Sequence, residues 1–168
     1  MSINSVVLDE RYELLLSTGK IPFLLNEGES IRFRTSTSRQ SLAISSQDST
    51  SRTINIKAKD GYVFLTTIRI VFVTVSSGDI NSFSIDLTNS PSLQFSHKLV
   101  SPWFGANYWE FLFNSGSSSD GFPTNQWFKG TIMFNDGGLF EFINILNLII
   151  NDVVHNVDID DELPQYSA

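Results

Sequence analysis

The chain has 168 residues, 41% of them hydrophobic, enough for one domain with its own core and short extensions. It contains no cysteine, which excludes disulfides, thiolate metal sites and a cysteine nucleophile. Its net charge of −7 argues against direct nucleic-acid binding, which requires neutralised phosphates.

Residues 1–16 carry Asp9, Glu10 and Glu13 among apolar positions. They lack the basic start and clean apolar run of a secretory signal. No apolar run approaches the length that spans a bilayer, so the expectation is a soluble, intracellular chain. Val6, Val7, Leu8, Tyr12, Leu15 and Leu16, with acids between them, predict a short helix over 5–17, interrupted by Gly19 and Pro22. Residues 1–20 therefore read as an N-terminal extension to a body spanning 21–153.

Ile31-Arg32-Phe33-Arg34 alternates apolar and basic residues, the pattern of a half-buried strand. Serine and threonine dominate 35–53 with little to bury, which predicts a mobile loop or solvated hairpin tip. Ile54-Asn55-Ile56-Lys57 alternates again, and Asp60-Gly61 marks a turn into a strand over 62–66. Further strands are predicted over 69–75, over 82–87 with Phe83, Ile85 and Leu87 on one face, and over 92–98, 108–113 and 129–134. A Ser/Gly-rich loop fills 114–124.

After Asp136-Gly137-Gly138 the period changes. Leu139, Phe142, Ile143, Leu146, Ile149, Ile150 and Val153 recur at three- and four-residue spacing, an amphipathic helix of about four turns. Several antiparallel strands and one C-terminal helix predict a mainly β, α+β fold: a bent sheet or barrel with the helix over one open end. Residues 154–168 are acidic and read as a disordered tail.

That tail ends in Leu163-Pro164-Gln165-Tyr166, after Asp158, Asp160, Asp161 and Glu162. A proline-stiffened segment has little entropy left to lose on docking, and WW domains grip such peptides. Tyr166 is the expected anchor, Pro164 the ring-stacking residue, and Leu163 fills the position usually held by proline. The preceding acids favour a WW domain with a basic rim, in a salt-sensitive way.

Arg32, Arg34, Arg39, Arg52, Lys57 and Lys59 all fall within 31–60, whereas no lysine or arginine follows Lys129. Arg32 and Arg34 are expected on one strand face, with Lys57 and Lys59 facing them across the sheet. That set has two readings: a phosphoinositide site, or a solvated outer face. The negative net charge favours the second. The aromatic word Trp103-Phe104-Gly105-Ala106-Asn107-Tyr108 reads as core packing, with Gly105 relieving a turn or bulge and Trp103 exposed beside Pro102. Catalysis has little support, because His97 and His155 are far apart and no catalytic motif surrounds them. No metal or cofactor site is expected. The tail acids lack the glycine and terminal glutamate of a calcium loop.

Certain words carry a family resemblance. They are Gly61-Tyr62-Val63-Phe64-Leu65-Thr66 running into Arg69-Ile70-Val71-Phe72, and Pro102-Trp103-Phe104-Gly105-Ala106-Asn107-Tyr108. Lys129-Gly130-Thr131-Ile132-Met133-Phe134 and Gly138-Leu139-Phe140-Glu141-Phe142 complete the set. With the tail motif, they resemble the GRAM/PH-like domain of the WW-domain-binding-protein-two family over about 21–150. The resemblance implies a PH-like fold, a strongly bent seven-stranded sheet capped by a C-terminal helix. It also implies a non-enzymatic adaptor whose tail binds WW domains, including those of HECT-type ubiquitin ligases. The expected location is the cytoplasm, with the nucleus as a second candidate. A peripheral phosphoinositide-binding module and a transcriptional co-regulator are the alternatives. Relatives carry long proline-rich tails with several motifs, whereas this tail is short and holds one.

Overall fold

The computed structural model describes residues 2–47, 53–76, 78–89, 94–117 and 121–162, the last eight of these by backbone alone. After β1 (Ser2–Ile3) and α1 (Tyr12–Ser17) come β2 (Ile31–Arg34), β3 (Gln40–Ser46), β4 (Asn55–Thr66), β5 (Arg69–Thr74) and β6 (Ser82–Asp86). A short 3-10 turn (Leu87–Asn89), β7 (Ser96–Val100), β8 (Tyr108–Asn114), β9 (Trp127–Phe134) and α2 (Leu139–Glu162) follow. One antiparallel sheet runs β1-β6-β5-β4-β3-β9-β8-β7, with β2 paired to β4. The seven strands β3–β9 form the expected bent sheet, and the N-terminal segment adds two more. The bend is visible in the packing. Phe83 of β6 stacks on Phe111 of β8 with centroids 5.8 Å apart, although four strands separate them in the sheet order.

β8 alternates Trp109, Phe111 and Phe113 inward, all fully buried, as a half-buried strand requires. Phe111 lies over Gly130 of β9, its register partner, and a Cβ at Gly130 would fall inside that ring. Gly130→Ala is therefore expected to cost about 1–3 kcal/mol through overpacking. Urea unfolding measures it, and a wild-type midpoint would show that the ring can move aside. α2 closes one end of the sheet with Phe142, whose ring meets Phe33 at 5.9 Å, Trp109 at 5.0 Å and Phe134 at 5.0 Å.

Four sequence expectations change. First, 35–53 is not simply a loop. β3 lies in it, between β4 and β9, and buries Gln40, Leu42 and Ile44 in alternation. Two apolar residues among serines suffice because the strand is covered on both edges. Second, Asp60-Gly61 is not a turn. β4 is continuous from Asn55 to Thr66, and a bulge lets three steps, Ala58 to Gly61, oppose two, Leu42 to Gln40. Glycine is needed at position 61 for close approach, since a Cβ there would sit 2.8 Å from the Val73 carbonyl oxygen and against the Phe72 ring.

Third, residues 1–20 are not an appendage. Val6, Leu16 and Phe23 cover Phe64, Val71 and Val73 on the outer face of β4 and β5, forming a second core. The helix predicted over 5–17 keeps only Tyr12–Ser17, because Leu8 bridges Phe23 in extended form and Asp9 turns the chain by accepting the Arg11 N–H. Burial on both faces also explains the unbroken apolar run of β5. Fourth, residues 154–162, read as unstructured tail, continue α2 as helix.

A buried clasp ties these layers together. Glu29, whose side chain is wholly shielded, pairs with Arg69 at 2.8 Å and accepts the Thr66 hydroxyl at 2.6 Å and the Asn26 N–H at 2.8 Å. Arg69 also donates to the Leu24 carbonyl at 2.8 Å and lies over the Phe23 ring.

Candidate functional site

The fold separates the basic residues that the sequence placed together. β2 pairs with the far end of β4, Arg34 opposite Phe64, while Lys57 pairs with Ala43. Six residues of β4 lie between Phe64 and Lys57, roughly 20 Å of strand. Arg32 and Arg34 do not share a face either. The β2 register shifts between Ile31 and Phe33, so Arg32 is an extra, bulged residue and the two-residue alternation fails there. Arg32 turns with Phe33 toward α2, lining a groove of about 330 Å³ with Ile145, Leu148, Ile149 and Asp152. Arg34 lies on the other face over the Phe64 ring, donating to the Gly19 carbonyl.

Lys57 and Lys59 line a shallow concavity at the opposite end of the sheet, beside Asp60 and Asp79. The Lys57 N–H donates to the Asp79 carboxylate at 3.0 Å. Two cations and two carboxylates leave no net charge there for an anion.

A groove of about 410 Å³ lies on β7, β8 and β9 between Ser96, His97, Lys98, Glu110, Leu112 and Lys129. Glu110 pairs with Lys129 at 3.0 Å and Lys98 at 3.4 Å. Burial alone would raise the Glu110 carboxyl, but hydrogen bonds and charge from Lys129 and Lys98 outweigh it and hold the pKa below the ordinary range. The Glu110 hydrogen bond and charge in turn raise Lys129. Burial lowers His97, whose neutral Nδ1 accepts the Trp109 indole N–H at 3.1 Å. That imidazole is thus committed to a core aromatic. Among the described residues no group of three histidines or carboxylates could hold a metal ion.

The aromatic word divides at Gly105. Tyr108 beyond it is half-buried, but Trp103 and Phe104 are 97% and 91% exposed at the tip of the β7–β8 hairpin. The expectation that Phe104 packs inward is therefore corrected. Gly105, at φ +97°, turns the tip outward, and a two-residue alternation cannot be read through a loop. Leu163, Pro164 and Tyr166 lie outside the described residues, directly after the end of α2. The Glu29–Arg69 clasp escaped sequence reading because its partners are forty residues apart, with no local signal linking them.

Seven strands in the order β6-β5-β4-β3-β9-β8-β7, bent over one core and closed by a C-terminal helix, define a PH-like fold. No protein-family model and no curated protein matches the sequence. Among solved structures, the chain is similar to a Vps36 N-terminal PH domain at a TM-score of 0.57 and 18% identity, covering 89% of this chain and 93% of that one. At that identity, the fold is what the two share.

Proposed function

We propose that the chain is a non-enzymatic adaptor of the WW-domain-binding-protein-two kind. Its PH-like body is the cargo or protein-interaction surface, and Leu163-Pro164-Gln165-Tyr166 binds a WW domain of a HECT-type ubiquitin ligase. The observation that carries this reading is where α2 ends. Ile150 is the last helix residue packed against the core among the described side chains, and the backbone stays helical for twelve residues more, to Glu162. Roughly 20 Å of helix therefore separates the core from the motif, which begins at the next residue. Such a spacer gives a WW domain room to dock. On this reading the chain works in the cytoplasm, and in the nucleus where its WW partner is nuclear.

Tyr166→Ala is expected to weaken binding to an isolated WW domain roughly 30-fold, the loss typical of a hot-spot aromatic. Titration calorimetry with the full chain measures it. Equal affinity of the two proteins would remove the tail from the proposal.

A further inference from the structure

We propose that the β7–β8 hairpin tip is a membrane-interface anchor that inserts Trp103 and Phe104 into the headgroup region of an electrically neutral bilayer. This goes beyond the adaptor reading and uses none of its residues. Large aromatics with nine-tenths of their surface in water are unusual, and two in succession on a projecting turn require a partner.

Charge identifies that partner. Lys98 and Glu110 are register partners across the hairpin and form an ion pair at 3.4 Å. From that pair to the tip and back, residues 99–109 contain no ionisable side chain except the Tyr108 phenol. The paired strand from Lys98 and Glu110 to Val100 and Tyr108 spans roughly 7 Å, and a seven-residue loop, 101–107, lies beyond it. The tip can therefore enter the roughly 5–10 Å interfacial layer without submerging a charge. A protein-docking hot spot needs no such charge-free depth and normally has a polar, charged rim.

The side chains suit that layer. Tryptophan and tyrosine favour the headgroup level, and Lys98 can keep its ammonium in water above them. Leu99 is 37% exposed on the same hairpin. β8 starts beside the end of β9, Trp109 opposite Ile132, so the tip lies at the end of the sheet where α2 begins. A net charge of −7 would be repelled by anionic lipid, which selects a zwitterionic surface.

Co-sedimentation of the full chain with phosphatidylcholine vesicles tests the proposal. The wild type is expected to bind, with little change at high salt, and Trp103→Ser/Phe104→Ser to lose about tenfold or more in partition coefficient. Both side chains are exposed, so the double variant should unfold at the wild-type midpoint. Phe104→Trp should retain binding, and Tyr166→Ala should too, which separates this result from the fate of the tail motif. Equal partition of wild type and double variant overturns the proposal. So does absence of wild-type binding, or binding that requires anionic lipid and vanishes with salt. Loss of a purified protein partner by the double variant, with no vesicle binding by either protein, would make the tip a protein-docking site instead.

Discussion

Replacing Glu29 with alanine is expected to lower the unfolding free energy by about 3–5 kcal/mol, the loss that follows when one partner of a buried ion pair is removed. Arg69 would then keep its charge with its side chain only 16% exposed and its carboxylate partner gone. The Thr66 hydroxyl and the Asn26 N–H would lose the same acceptor. Equilibrium urea unfolding measures the effect, and a loss under about 1 kcal/mol would show that water replaces the carboxylate.

The clasp also has a pH signature. Burial pulls the Glu29 carboxyl upward, but hydrogen bonds from Arg69, Thr66 and Asn26, with the Arg69 charge, bring it below the ordinary value. A depressed folded-state pKa gives stability that is fully present above the unfolded-state pKa. That stability is lost as pH falls through the lower folded value. The gap between wild type and Glu29→Gln should be constant near neutrality and shrink under acid. A gap that widened under acid would contradict the assignment.

Phe142→Ala should cost a similar amount, about 3–5 kcal/mol. The ring is fully buried against Phe33, Trp109 and Phe134, so it joins α2 to β2, β8 and β9 at one point. Loss of hydrogen-exchange protection should extend along α2 rather than stay at the site. Leu148→Ala, on the same helix but 64% exposed, should stay within about 0.5 kcal/mol of wild type. Equal effects of the two substitutions would mean that Phe142 does not carry the docking.

What the sequence disclosed depended on whether a residue's role was local. The spacing of Leu139, Phe142, Leu146 and Ile149 announces a helix face, and all four are buried. The alternation in β8 and β9 was equally legible. β3 was not, because Leu42 and Ile44 sit among serines and its stability comes from partners on both sides. Asp60-Gly61 looked like a turn because the Phe72 ring that needs the glycine is distant in sequence. The bulge at Arg32 inverted one predicted face, since a single inserted residue breaks a period of two without leaving a mark in composition. The acids at the end of α2 oppose the helix dipole, so a helix there runs against local preference. The tail motif was legible as a motif alone, and of the exposed tip Trp103 was expected from the sequence while Phe104 became visible only with the fold.

The position of β3 also bears on how the chain is made. Leu42 pairs with Ile132, ninety residues later, and the strand between β4 and β9 has only one neighbour until β9 arrives. During synthesis from the N-terminus, β3 can pair with β4 early, but its other edge stays open until almost the whole body has left the ribosome. Pairings of such long separation place the domain among slow-folding topologies. For that interval an open strand edge is the exposed hazard, and β9, with α2 just behind it, ends the interval by closing the sheet.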